Sequence, residues 1–286
     1  MFILTKAGNY QGTSDYIASS ELLNTVNVAH KLGRPLLIKG EPGTGKTMLA
    51  KSVAEGLDKK MIIWNIKSTT KAQEGLYVYD TVQRLYDSQF GEKDVSQIKK
   101  YIKLGKLGEA FKAEEQVVLL IDEIDKADLE FPNDLLWELD QMSFYIPETG
   151  ETIEAEYRPI VIITSNAEKE LPDAFLRRCI FHYIEFPSQE MMEQIVKVHY
   201  PNIDKKLLDQ AIKAFYWLRE LPHLQKRAST SELLDWVQAL SLGGINPKTI
   251  MEEVPFLGVL IKKNEDYQIV LDKLYQRGSK RGVKGW

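Results

Sequence analysis

The chain has 286 residues, 44% hydrophobic and 27% charged, close to the averages of soluble globular proteins, so collagenous, low-complexity and wholly disordered readings are excluded. A single cysteine, Cys179, rules out an internal disulfide and a thiolate zinc cluster. With 37 Lys and Arg against 41 Asp and Glu the net charge is -4, which argues against a chain built to coat phosphate backbones and leaves room only for a local basic patch.

Met1 to Lys6 lacks a basic region ahead of a long apolar stretch, so it is not read as a secretory signal. No apolar run approaches the ~18 residues a membrane span needs. An unpaired Cys179 fits a reducing compartment, and cytoplasm is the expected location. Leu36-Leu37-Ile38, Met61 to Ile66, Val117 to Ile121, Ile160 to Ile163 and Phe181 to Ile184 are short β-branched or aromatic runs separated by helical patterns, such as the amphipathic stretch Met48 to Leu57. They predict five parallel strands buried on both faces in a helix-flanked α/β sheet.

Past Phe186-Pro187-Ser188 the pattern becomes purely helical. Met191, Met192, Ile195, Val196 and His199 recur at helical spacing, as do Leu207, Leu208, Ala211, Ile212 and Phe215. Ser229-Thr230-Ser231-Glu232 reads as a capping box. The tail Arg277 to Trp286 reads as frayed. The expected domains are 1–187, α/β and nucleotide-binding, and 188–286, helical.

Gly40-Glu41-Pro42-Gly43-Thr44-Gly45-Lys46-Thr47 matches G-x-x-x-x-G-K-[ST] in full, after a predicted strand and before a helix. Glycines let successive backbone N–H groups converge, and the following helix adds its positive end, making an anion cradle. In that cradle Lys46 reaches the β and γ phosphates of a nucleotide, and the Thr47 hydroxyl ligates Mg²⁺.

The run Val117 to Ile121 ends in Asp122-Glu123, two carboxylates at the carboxyl end of a buried strand, where α/β sheets bind ligands. Asp122 is assigned to Mg²⁺, and Glu123 to orienting and polarising the attacking water. The competing reading is that the pair caps the next helix. Asp125 and Asp128 read as solvated surface. Ile160 to Ile163 ends in Thr164-Ser165-Asn166, so Asn166 is expected at the same sheet edge, holding water or sensing the γ phosphate.

Together with Leu171-Pro172-Asp173-Ala174-Phe175-Leu176-Arg177-Arg178, these motifs resemble the AAA+ ATPases, and within them the MoxR type. The resemblance runs from about Tyr16 to the end of the helical lid. It implies a P-loop α/β domain with a central parallel five-stranded sheet in the order 5-1-4-3-2, followed by a small helical lid. It implies a homo-oligomeric ring, hexameric in most relatives, with ATP between neighbours and Arg177 or Arg178 as an arginine finger acting in trans. Tyr16 and Ile17 correspond to residues packing on adenine, though they also read as a hydrophobic staple. Phe144 to Ala155, a hairpin pattern with Gly150 in its turn, and the long connection holding Tyr77, Tyr79, Tyr86 and Phe90 match the two inserts of the MoxR clade. The lid departs from the family pattern. Ser231 stands where relatives carry a second-sensor arginine, and Arg227 is the nearest substitute.

The function implied by the resemblance is ATP hydrolysis driving chaperone-like remodelling or maturation of a protein client, in some relatives a von Willebrand factor A domain protein. The alternative is a nucleic-acid-associated AAA+ motor or clamp-loader-like ATPase, disfavoured by the acidic total and the lack of an interleaved basic and aromatic segment. The histidines His30, His182, His199 and His223 form no metal-ligand spacing.

Overall fold

Each apolar run identified in the sequence becomes a strand, and the order of the strands decides where their polar ends meet. The computed structural model describes residues 8–90, 94–166 and 168–281, with side chains to 277. The reading of Met1 to Lys6 lies outside the described residues.

Helix α1 (Ser20–Leu32) starts where the Ser19 hydroxyl accepts from the Leu22 N–H and stops at Gly33, which adopts φ 61°. Strand β1 (Leu36–Gly40) leads to α2 (Lys46–Gly56), and β2 (Met61–Asn65) follows. The long connection after β2 holds α3 (Ala72–Leu76), β3 (Tyr77–Tyr79), α4 (Thr81–Phe90), β4 (Ile102–Leu104) and α5 (Lys106–Phe111). In it β3 and β4 form an antiparallel ribbon. Next come β5 (Val118–Asp122), α6 (Phe131–Asp134), α7 (Leu136–Gln141), and the hairpin of β6 (Ser143–Ile146) and β7 (Glu151–Glu154). Strand β8 (Ile160–Ser165), α8 (Asp173–Leu176) and β9 (Ile180–Ile184) complete the α/β part.

The main sheet has the order β2-β5-β8-β1-β9 and all its pairings are parallel. Counted along its own five strands this is 5-1-4-3-2 read from the far edge, as the resemblance implies. Alternate residues serve opposite faces, as the two-residue period of a strand dictates. Leu37, Leu119, Ile121, Val161 and Ile163 belong to one apolar cluster, while Leu36, Ile38, Val118, Leu120, Ile160 and Ile162 belong to another. The three central strands β5, β8 and β1 are therefore covered on both sides, which explains their runs without polar alternation. The expectation of five such strands is corrected at the edges, where Ile63 of β2 and Phe181 and Tyr183 of β9 are exposed.

The two inserts meet each other. Tyr77 stacks on Phe144 at 6.1 Å between ring centroids, its hydroxyl donates to Glu148 in the hairpin turn at 2.9 Å, and Lys99 pairs with Glu151 at 2.5 Å. Tyr77 is thus a packing residue, whereas Tyr86 and Phe90 on α4 are exposed.

The chain divides into two units, Met1–Gly40 with Gly45–Ile184, and Glu41–Thr44 with Glu185–Trp286. The second contains α9 (Gln189–His199), α10 (Lys205–Arg219), α11 (Thr230–Leu242), α12 (Ile250–Glu253), α13 (Leu257–Leu260) and α14 (Asn264–Arg281). Its core gathers Leu208, Phe215, Trp236, Leu240 and Val270. The expected capping box is formed: the Ser229 hydroxyl accepts from the Glu232 N–H and the Glu232 carboxylate accepts from the Ser229 N–H. The expectation of a frayed tail from Arg277 is corrected, because α14 continues to Arg281. Arg277 lies over the Trp217 ring at 3.9 Å, a contact that ties down the last turns. Residues 282–286 lie outside the described residues. Among the described residues no helix is long and apolar enough to cross a membrane.

Candidate functional site

Register brings the polar strand ends together. β8 pairs with β1 through Lys39↔Ser165 and with β5 through Ile121↔Ile163, so Gly40, Asp122 and Asn166 finish at one sheet edge. None of these alignments is visible in the separate motifs.

Gly45 caps α2 at φ 88° and supplies no side-chain acceptor. No side chain caps the first turn of α2, and the eleven-residue helix presents its positive end there. The left-handed φ explains why glycine stands there. A Cβ at Gly45 would sit 3.2 Å from Tyr16 Cε2, so Tyr16 closes one side of the loop end; burial pushes its phenol well above the usual tyrosine range. Ile17 follows it, half-buried. Lys46 is buried, with Nζ 2.9 Å from the Gly40 carbonyl.

Thr47 Oγ1 donates to Asp122 Oδ1 at 3.1 Å. A hydroxyl and a carboxylate in contact form a hard-oxygen pair suited to Mg²⁺. Together with the uncapped N-terminus of α2, the residues present fit a magnesium nucleotide. Thr164, which sequence reasoning treats only as the polar end of a strand, links the pair to Glu123: its hydroxyl donates to Asp122 Oδ1 at 2.6 Å and accepts from the Glu123 N–H at 2.8 Å.

Glu123 adopts φ 60° and ψ 52° and makes no side-chain cap bond, so the helix-cap reading of this residue is corrected. A non-glycine residue in the left-handed region costs roughly 1–2 kcal/mol, and here the Thr164 bond and the side chain hold it. One carboxylate oxygen accepts from Asn166 Nδ2 at 2.9 Å and the other pairs with Lys126. Hydrogen bonding to Glu123 pushes the Lys126 ammonium above the usual lysine range.

Asp125 is not solvated surface, as its acidic surroundings in sequence suggest, but buried at 2% exposure. Its carboxylate accepts from the backbone N–H groups of Asn166 and Glu168. Asp128 is exposed. Position along the turn decides between them: Asp125 points inward from the 3-10 turn Ile124–Lys126, toward the end of β8.

Arg177 and Arg178 follow α8 and are both exposed. Arg178 is engaged by Asp140 and by the Ala174 carbonyl, and Arg34, from the turn after α1, donates to the carbonyls of both.

Within the second unit, Ser231 and Arg227 are exposed. A different arginine, Arg219 on α10, is buried there, stacked on Phe186 at 3.4 Å and paired with Glu41 at 2.6 Å. Pro42, Gly43 and Thr44 belong to the same unit as Glu41. Gly43 adopts φ 77°, and a Cβ on it would lie 2.5 Å from Ser229 Cβ. Arg219 escapes a sequence reading because a cation in the last turn of a helix needs no further explanation.

A profile of the "ATPase family associated with various cellular activities (AAA)" matches residues 36–188. Among curated proteins, YojN of Bacillus subtilis, itself uncharacterised, is 30% identical over 207 residues, covering 70% of this chain and 64% of YojN. The chain thus aligns with somewhat under two thirds of that relative. An uncharacterised protein of Staphylococcus aureus (strain NCTC 8325 / PS 47) is 26% identical over 229 residues, covering 78% of this chain and 81% of its own. Among solved structures, a point mutant of RuvB from Thermotoga maritima superposes with a TM-score of 0.54 at 14% identity, over 82% of this chain and 69% of that one. This last likeness bears on the fold alone.

Proposed function

Since the chain belongs to the AAA family of ATPases, we propose that it binds Mg²⁺-ATP at the Gly40 to Thr47 loop and hydrolyses it, as a ring of MoxR type that remodels a protein client. The observation that carries this reading is the joined polar edge: Thr47 on Asp122, Asp122 and Glu123 on Thr164, and Glu123 on Asn166.

In it the amides of α2 and Lys46 hold the phosphates, and Thr47 and Asp122 hold the metal, which when bound neutralises phosphate charge. Glu123 takes the proton of the attacking water at its carboxylate, and Asn166 orients that carboxylate. An arginine of the pair Arg177 and Arg178 faces the nucleotide of the next protomer. The hairpin ahead of β8 and the long insert after β2 support the MoxR placement, and they offer surface for a client, including one with a von Willebrand factor A domain.

The test is ATP turnover and nucleotide titration of three proteins. The parent is expected to hydrolyse ATP. Glu123→Gln is expected to bind it and turn over some 10²- to 10⁴-fold more slowly, the usual range for a lost general base. Lys46→Ala is expected to lose binding. Turnover by Glu123→Gln within twofold of the parent would overturn the assignment of the base, and unchanged affinity of Lys46→Ala would overturn the phosphate site.

A further inference from the structure

Burying a carboxylate is costly unless every lone pair finds a donor, yet Asp125 is buried at 2% exposure and forms no ion pair among the described residues. Its donors are backbone. Asn166 N–H lies 3.1 Å and Glu168 N–H 2.9 Å from Oδ2. Such charge-assisted bonds are roughly twice as strong as neutral ones, and both fall on the segment that leaves β8. The same segment returns the contact in the opposite sense: Lys169 Nζ donates to the Ala127 carbonyl at 2.8 Å and to the Lys126 carbonyl at 3.3 Å. The turn after Glu123 and the segment after β8 are thus joined by one anion reaching backbone donors and one cation reaching backbone acceptors.

We propose that Asp125 and Lys169 form a reciprocal staple that positions Asn166 against Glu123, making both of them positioning residues for hydrolysis. The staple has a reason to exist in the geometry it brackets. Glu123 stands in a left-handed conformation, and its carboxylate is reached by Asn166 at 2.9 Å. An Asn166 backbone free to shift would carry the amide away from that carboxylate, and a displacement of about 1 Å at a reacting group can cost on the order of 10²-fold in rate. Both N–H groups converge on Oδ2, and an ionised carboxylate oxygen makes each bond charge-assisted, as a neutral hydroxyl or amide oxygen would not.

The inference rests on the proposed ATPase reading, and its test separates the two. Asp125→Asn, Asp125→Ala and Lys169→Met would be compared with the parent for turnover, ATP affinity and amide hydrogen exchange across residues 164–170 without nucleotide. Asp125→Ala is expected to speed exchange at the Asn166 and Glu168 amides at least about tenfold, and to lower kcat about 10- to 100-fold, with ATP affinity within twofold. Asp125→Asn, which keeps one oxygen, should recover part of both, and Lys169→Met should lower kcat severalfold without changing affinity. Combining Asp125→Asn with Asn166→Ala should be no slower than Asn166→Ala alone, because the staple acts through Asn166. The proposal is overturned if Asp125→Asn and Lys169→Met both keep parental kcat and exchange, or if the double substitution multiplies the two single losses. A parent without turnover would sink the ATPase reading, while hydrogen exchange would still decide whether the staple exists.

Discussion

Arg178 Nε lies 2.5 Å from Oδ2 of Asp140, and the same guanidinium donates to the Ala174 carbonyl. Its neighbour Arg177 is exposed, and among the described residues its side chain makes no hydrogen bond or ion pair. The two arginines, equivalent in the sequence reading, are therefore unequal in the fold.

The proposed ring gives this inequality a test in mixtures. Protein carrying Arg177→Ala, mixed with Glu123→Gln protein, should regain turnover absent from either alone, because a site joining the intact Glu123 of one to the intact arginine of the other is complete. Loss of a finger typically costs on the order of 10³ to 10⁵ in rate, so a small restored fraction is measurable. Arg178→Ala alone is expected to reduce turnover less, because its guanidinium is held by Asp140. A larger loss in Arg178→Ala would assign the finger to that residue instead.

Thr164→Val keeps the branched shape and removes a hydroxyl that donates to Asp122 and accepts from the Glu123 N–H. It leaves a backbone donor unpaired at a wholly buried side chain, so a stability loss of about 1–3 kcal/mol is expected by denaturant titration. Turnover should fall further than ATP affinity, since Glu123 loses its backbone anchor while Lys46 keeps its place. Parental turnover at unchanged stability would show that the relay through Thr164 is dispensable.

Gly45→Ala tests the cradle itself. The left-handed φ of 88° and the 3.2 Å approach of Tyr16 both oppose a methyl group, so nucleotide affinity should drop and the variant should be destabilised by roughly 1–2 kcal/mol. Pairing it with Tyr16→Ala relieves the contact and leaves the backbone strain, so only part of the loss should return.

These expectations differ in how far the sequence alone reaches them. The strands and the phosphate loop are legible because both signals are local: short unbroken β-branched or aromatic runs between helical patterns suit strands of a helix-flanked sheet, and Gly40, Gly45, Lys46 and Thr47 stand at fixed offsets. Asn166 can be placed at the sheet edge because a strand carries its last residue to its own end. Asp125 is misread as surface, since nothing in the run of acids after Ile121 says which side chain turns inward. Thr164 is passed over because a threonine in a β-branched run fits the strand on propensity alone. Arg219 is hidden by a helix end that tolerates any cation. In each case the missing information is register or rotation about an element, which depends on neighbours far along the chain.

Cys179 gives a prediction free of any nucleotide. Burial beside the start of β9 pushes its thiol up to about 12, so at pH 8 the thiolate fraction, and with it the alkylation rate, should be on the order of 10³ below that of a free thiol. Iodoacetamide labelling should become fast only in denaturant. Rapid labelling of the native protein would mean that the corner between α8 and β9 opens readily.

The contacts of Tyr77 with Phe144 and Glu148, together with the Lys99 and Glu151 pair, unite two separate stretches of chain. The ribbon of β3 and β4 and the hairpin of β6 and β7 lie far apart in sequence but are fastened to each other, so they form one packed outwork of the sheet. The hairpin's second strand leads directly toward β8, and β8 ends at Asn166. The packed pair of inserts is therefore joined to the main sheet by the short connection that enters β8, the strand that carries Asn166 at its far end.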